Sequence, residues 1–110
     1  MPHVLLRWSL KDAQVKGLVE RPQDREQVVA RLLADFGGKL LSYYYVLGSF
    51  DGIAIAEFPD HAGLAAGTMR AMASGMFAQF DSTMLMTMAE AQAAMTRARD
   101  TAHSFVPPAG

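Results

Sequence analysis

The stretch LGSFDGIAIAEFPD, residues 47–60, decides how this chain folds. A turn at Gly48 is followed by alternating small and branched apolar residues, which is the pattern of a β-strand over residues 50–58. The Pro-Asp pair at the end of the stretch predicts a helix with Asp60 as its N-cap. Residues 39–46 form another apolar strand before the turn, so the sequence predicts a β-hairpin.

The strand over residues 50–58 has two different faces. Gly52, Ala54 and Ala56 share one face, because side chains alternate along a strand. The volume that these small residues leave must be filled by something, either a helix or a ligand. We therefore expect close helix packing or an apolar cleft over this face.

Strands and helices alternate on either side of the hairpin. A first strand covers residues 3–8, and apolar residues at helical spacing follow it. That helix is interrupted at residues 21–22 by a proline and then resumes until the glycine pair at residues 37–38. After the hairpin, the pattern predicts a helix over residues 60–75, a strand over residues 77–88 and a last helix over residues 89–99.

This order of elements is that of a ferredoxin-like βαββαβ fold of the α+β class, with a four-stranded antiparallel sheet and an extra C-terminal helix. We assign one domain to residues 1–100 and a flexible tail to residues 101–110. The helices should cover one face of the sheet and leave the other open. Isoleucine, tyrosine and methionine on the open face would be too large an apolar patch for a monomer, so we predict a homodimer or a higher homo-oligomer.

Composition and charge exclude several classes of protein. The 110 residues carry a net charge of -1, which provides no field to attract nucleic acid. No apolar run is long enough to span a membrane, and the N-terminus lacks the features of a signal peptide. Without cysteine there is no disulfide framework and no thiolate nucleophile. We expect a bacterial, cytoplasmic protein with no cofactor, no metal and no membrane partner.

Two further patterns favour packing over chemistry. The three histidines are far apart and lack the spacing of metal ligands. Met84, Met86 and Met88 alternate on the predicted fourth strand, and thioethers can bind Cu(I). Methionine is nevertheless a common gap-filler in cores and interfaces, so we interpret this row as packing.

Three segments resemble one known family. They are the early strand that ends in Arg7-Trp8, the segment GGKLLSYYYVLG at residues 37–48, and GSFDGIAIAEFPD at residues 48–60. The chain resembles the GYD-domain proteins of the dimeric α/β-barrel superfamily over most of its length. The naming triplet Gly-Tyr-Asp stands here as GSFD, residues 48–51, with phenylalanine in place of tyrosine. The resemblance implies the fold and a homo-oligomer, and it supplies no reaction.

Six side chains are candidates for contact with a ligand: His3, Arg7, Trp8, Tyr43, Tyr45 and Asp51. His3 and Arg7 occupy the same face of the first strand and could point into a cavity, and Tyr43 could edge the same cleft. Tyr43 and Tyr45 share a face of the second strand, which suits a flat ligand and, more often, an oligomer interface. Asp51 is either a general base or a residue that accepts backbone N–H bonds, and its place beside a turn favours the second role.

Two classes of function are compatible with these patterns. The first is an oligomeric small-molecule-binding or regulatory domain. The alternative is a cofactor-independent enzyme of the oxygenase or isomerase type, with its pocket between the sheet and the helices. A deep cavity that holds His3, Arg7 or Asp51 would favour the enzyme, and a filled core would favour the binding or structural role.

Overall fold

The computed structural model describes residues 2–101, 103 and 105–109 of the chain. The strands and helices follow in the order β1 (His3–Leu10), α1 (Asp12–Glu20), α2 (Glu26–Asp35), β2 (Lys39–Tyr45), β3 (Gly52–Glu57), α3 (His61–Ala73), β4 (Phe77–Leu85) and α4 (Met88–Asp100). All neighbouring strands are antiparallel, and their order across the sheet is β2-β3-β1-β4. The predicted ferredoxin-like α+β fold with an extra C-terminal helix is confirmed.

The two faces of the sheet differ because residues alternate along β1. Val4, Leu6 and Trp8 lie on the face that the helices cover, where they are 2%, 3% and 7% exposed. Residues directly opposite one another in an antiparallel pair share a face, so Ala54 and Ala56 of β3 lie there too, and both are completely buried. The core is completed on this side by side chains of α2, chiefly Leu33.

Glycine and aspartate define the helix ends as the sequence predicts. Gly37 ends α2 with a φ of 82°, and the amide of Gly38 donates to the Leu33 carbonyl at 2.8 Å. This is a Schellman arrangement, which satisfies carbonyls that the helix leaves unpaired. At the start of α3, the Asp60 Oδ1 atom accepts the Gly63 amide at 2.7 Å. The predicted N-cap is confirmed.

The prediction of a fourth strand through residue 88 is wrong at its end. β4 stops at Leu85, and Thr87 caps α4 instead. The Thr87 hydroxyl accepts the Glu90 amide at 3.1 Å, and the Glu90 carboxylate accepts the Thr87 amide at 3.2 Å. These two bonds form a capping box. The bonds that the Thr87 amide and hydroxyl donate to the Glu90 carboxylate lower the pKa of that carboxyl. Met86 and Met88 therefore do not continue the row that Met84 begins.

The tail that the sequence predicts over residues 101–110 lies partly outside the described residues, because positions 102, 104 and 110 are not among them. The domain boundary at residue 100 stays a prediction. Within the described part, α4 is exposed along almost its entire length.

Neighbouring side chains fill most of the space that the small residues of β3 leave. A Cβ atom at Gly52 would overlap the Trp8 indole ring, which lies against the backbone there. Ala54 and Ala56 meet the apolar core, so close packing is the outcome at these two positions. Only Gly52 of the three also borders open space beneath the helices.

We expect Gly52→Ala to lower the free energy of unfolding by about 1–3 kcal/mol, because the indole must move away from the sheet. Chemical denaturation, followed by the fluorescence of the single tryptophan, measures this. Gly17→Ala is the matched control, since a Cβ there meets nothing within 4 Å and alanine favours the α1 helix by about 0.5–1 kcal/mol. Equal stability of Gly52→Ala and the wild type would show that the contact is dispensable.

Candidate functional site

A cavity of about 770 Å³ lies between the helices and the covered face of the sheet. Leu6 and Trp8 of β1, Tyr43 of β2 and Phe80 of β4 line it from the sheet, and side chains of α1, α2 and α3 line it from the other side. Most of the lining is aliphatic or aromatic. A volume of this size lies within the range of roughly 300–1,000 Å³ that is usual for small-molecule sites.

Aromatic rings form the floor of the cavity. The Trp8 indole stacks on Phe80 with 6.2 Å between ring centroids and 14° between ring planes. Tyr43 lies on its other flank, with 5.6 Å between the centroids, and Phe77 meets it edge-on at 6.3 Å. Offset and edge-to-face pairs of this kind stabilise one another beyond the burial of their area. The floor is therefore a pre-formed aromatic surface suited to an aromatic or other apolar group.

The charged residues of the lining come from two places. The segment between α1 and α2 contributes Arg21, Asp24 and Arg25, and the last turn of α3 contributes Arg70. Sequence reasoning missed all of these. The one available signal was the interruption at residues 21–22, which puts charged residues between two helices that cover the sheet.

Three of the six predicted candidates line this cavity, namely Trp8, Tyr43 and Tyr45. Tyr43 is half-buried, and burial raises the pKa of its phenol, so the hydroxyl stays protonated at neutral pH and can donate a hydrogen bond. Tyr45 is 56% exposed and lies nearer the surface. Both tyrosines lie on the covered face of the sheet. The oligomer contact was expected on the opposite, open face.

The expectation that His3 and Arg7 point into a cavity does not hold here. Since Val4, Leu6 and Trp8 face the helices, the alternation of β1 sends His3 and Arg7 to the open face. That alternation was visible in the sequence. Of the three residues that could edge the cleft, the structure places only Tyr43 there.

On the open face, His3 and Arg7 interact with the neighbouring strands. The Arg7 Nη2 atom donates to Asp81 Oδ2 at 2.8 Å, and this bond, with a second from Thr83, lowers the pKa of Asp81. The Arg7 guanidinium also lies 4.7 Å from the centroid of the Phe50 ring. Phe50 stands where the resemblance noted in the sequence places the tyrosine of GYD-domain proteins, and this cation–π contact needs no hydroxyl. His3 Nε2 lies 3.3 Å from a Glu57 carboxylate oxygen.

Asp51 lies outside the cavity lining and joins the hairpin to β1. Its Oδ2 atom accepts the Leu10 amide at 2.7 Å. Its backbone amide donates to the Trp8 carbonyl at 2.8 Å, and its carbonyl accepts the Val46 amide at 2.8 Å. These contacts are those of a bracing residue, and a part in ligand binding stays a prediction.

Two kinds of feature are absent from the described residues. Among them, no three His, Cys, Asp or Glu side chains come together in a group that could hold a metal ion. None of the helices in that part of the chain combines the length and the apolar character needed to cross a bilayer.

We expect Asp51→Asn to lower the free energy of unfolding by about 1 kcal/mol, because a charge-assisted hydrogen bond to Leu10 becomes a neutral one. Thermal and chemical unfolding measure the change. Asp35→Asn serves as the control, since Asp35 is exposed at the end of α2, and its effect should stay within about 0.5 kcal/mol. A large loss of ligand affinity at unchanged stability would instead give Asp51 a binding role.

Comparison with known proteins identifies the family. The glutamine synthetase and cystathionine beta-lyase binding protein of Thermus thermophilus is 29% identical over 75 residues, which cover 68% of this chain and 79% of that protein. A crystal structure of a protein from Thermus thermophilus has a TM-score of 0.52 at 14% identity and covers 79% of this chain and 95% of its own.

A transcriptional regulator of Neisseria meningitidis, solved as a complex with L-Met, has a TM-score of 0.50 at 15% identity, with 78% of this chain and 50% of that chain covered. At these identities the two solved structures show the fold alone. The model of the GYD domain matches residues 4–95, which is most of the chain. The protein therefore belongs to the GYD-domain family.

Proposed function

We propose that this protein is an oligomeric, cytoplasmic domain that binds a small molecule and has a regulatory role. The cavity of about 770 Å³ carries this proposal, because it is large, mostly apolar and bordered by a few polar groups. The enzyme alternative depended on His3, Arg7 or Asp51 in such a cavity. None of these three is among its lining residues, so the geometry favours binding over catalysis.

The Thermus relative supports a role in binding. Its name describes it as a protein that binds two enzymes, glutamine synthetase and cystathionine beta-lyase. We propose a regulatory role of the same general kind for this chain, in which the state of the cavity affects contact with another protein.

The open face of the sheet supports a homodimer. Leu5, Ile53 and Ile55 form an apolar row across β1 and β3, and none of them is fully buried in the single chain. Tyr44, opposite Ile53, is 65% exposed. Contact between two such faces would remove this surface from water without disturbing the cavity on the opposite side.

If the open face is the dimer contact, Ile55→Asp should convert the dimer to a monomer, because the substitution places a charge in the middle of an apolar interface. Sedimentation at micromolar concentration measures the mass. Val19→Asp is the control, since Val19 is 74% exposed on α1 and far from this face in the fold. A monomeric wild type, or a dimer that survives Ile55→Asp, would contradict this assembly.

The cavity itself can be tested with the neutral, apolar fluorophore N-phenyl-1-naphthylamine. We expect the wild type to bind it and Ala71→Leu to weaken binding at least about fivefold, because Ala71 is buried at the cavity wall and leucine would take up ligand volume. Ala66→Leu, on the exposed side of the same helix, should leave affinity unchanged. Mass spectrometry of the native protein would identify any ligand retained during purification.

Thermal unfolding of both leucine variants separates loss of binding from loss of structure. Failure of the wild type to bind the fluorophore, with no retained ligand, would contradict the proposed function. Equal effects of Ala71→Leu and Ala66→Leu would place the binding site elsewhere.

A further inference from the structure

We infer that the cavity takes an amphipathic anion, namely an apolar or aromatic molecule with one anionic group held by arginines at the cavity mouth. This inference rests on the proposed function and adds the chemical class of the ligand. It assigns the anionic group to Arg25, and Arg21 and Arg70 line the same cavity.

The charge of the lining differs in sign from that of the whole chain. The protein has a net charge of -1, yet the charged residues of the cavity lining are three arginines and one aspartate. The four come from two parts of the fold, since residues 21–25 link α1 to α2 and Arg70 belongs to the last turn of α3. Packing of these elements therefore gathers positive charge around an apolar space.

The single aspartate of the lining is already engaged. Its Oδ1 atom accepts the Glu26 amide at 2.8 Å, so the carboxylate of Asp24 serves the start of α2. Considering only the described residues, no carboxylate lies at ion-pair distance from any of the three arginines. By contrast, Arg7 and Arg99 are paired with Asp81 and Asp100.

Arg25 is the best placed of the three to bind an anion. It is half-buried, whereas Arg21 and Arg70 are exposed, so its charge is less screened by water. Its Nη1 atom donates to the neutral Gln23 side chain at 3.1 Å. A guanidinium has five N–H donors, which leaves others available for a carboxylate or a similar group.

Tyr43 supplies a second donor in the same region. Burial is the main cause that raises the pKa of its phenol; the nearby Arg25 charge lowers this pKa, and the charges of Asp24 and Glu26 raise it. A tyrosine hydroxyl is protonated at neutral pH, so Tyr43 can donate a hydrogen bond in the neighbourhood of Arg25. The aromatic floor around Trp8 and Phe80 would hold the apolar part of the ligand, with its anionic end toward Arg25 and Tyr43.

Two fluorophores with the same skeleton isolate the contribution of the anionic group. 8-Anilinonaphthalene-1-sulfonate carries a sulfonate, and N-phenyl-1-naphthylamine lacks it. We expect the wild type to bind the sulfonate more tightly, and Arg25→Gln to weaken sulfonate binding at least about fivefold while binding of the neutral probe is unchanged. Arg31→Gln is the control, because Arg31 is exposed on α2 and outside the lining.

Ala71→Leu should weaken the binding of both probes, which would show that both bind in this cavity. Cooperative unfolding and the near-ultraviolet circular dichroism of each variant confirm that the probes report on folded protein. If Arg25→Gln does not fold, Arg70→Gln takes its place, with the same expected direction.

The outcomes separate this inference from the function on which it rests. Binding of neither probe contradicts both. Equal affinity for the two probes, or equal weakening of both by Arg25→Gln, overturns the anion assignment and leaves the apolar cavity in place. If Arg31→Gln also weakens binding of the sulfonate probe selectively, the probe is attracted by the positive charge of the surface in general. That result would also overturn the anion assignment.

Discussion

The contact between the Trp8 indole and the backbone at Gly52 is the constraint on which the rest of the site depends. Because residue 52 has no Cβ, the ring can lie against the sheet at the centre of its covered face. Phe80 on the adjacent strand β4 and Tyr43 on β2, which lies beyond β3, then pack against that ring. Trp8 also connects β1 to the hairpin, since its carbonyl accepts a hydrogen bond from the Asp51 amide. Sheet geometry and cavity floor are thus fixed together.

The alternation of β1 divides the molecule into two surfaces with different chemistry. One face carries apolar side chains toward the helices, and the other carries Leu5 between two polar residues, His3 and Arg7. Each polar residue has a partner on an adjacent strand, Glu57 and Asp81 respectively. An ion pair satisfied across strands can be covered by another surface at lower cost than a lone charge. The open face can therefore contain charge and still be suited to contact with a second copy.

Local signals in the sequence were sufficient for most of the fold and insufficient for the site. The Gly37-Gly38 stop, the Asp60 cap and the hairpin each depend on residues close together in the chain. The predicted fourth strand ends too late because the methionines continue the alternation to residue 88, whereas Thr87 and Glu90 form the capping box that begins α4. Arg25 and Arg70 could not be associated from sequence, because only the packing of α2 and α3 brings them to one cavity.

The helices α2 and α3 pack closely where α2 ends. At the C-terminal end of α2, glycines on α3 allow a close approach: a Cβ at Gly67 would lie 3.4 Å from the Phe36 ring, and one at Gly63 would overlap the Phe36 carbonyl. The helix layer is therefore tight at that end. The start of α2 and the last turn of α3 contribute Arg25 and Arg70 to the lining of the cavity. Under the inference above, an anion bound to Arg25 would offset the excess of positive charge in the lining, so the start of α2 is the part of the structure that such a ligand would stabilise most.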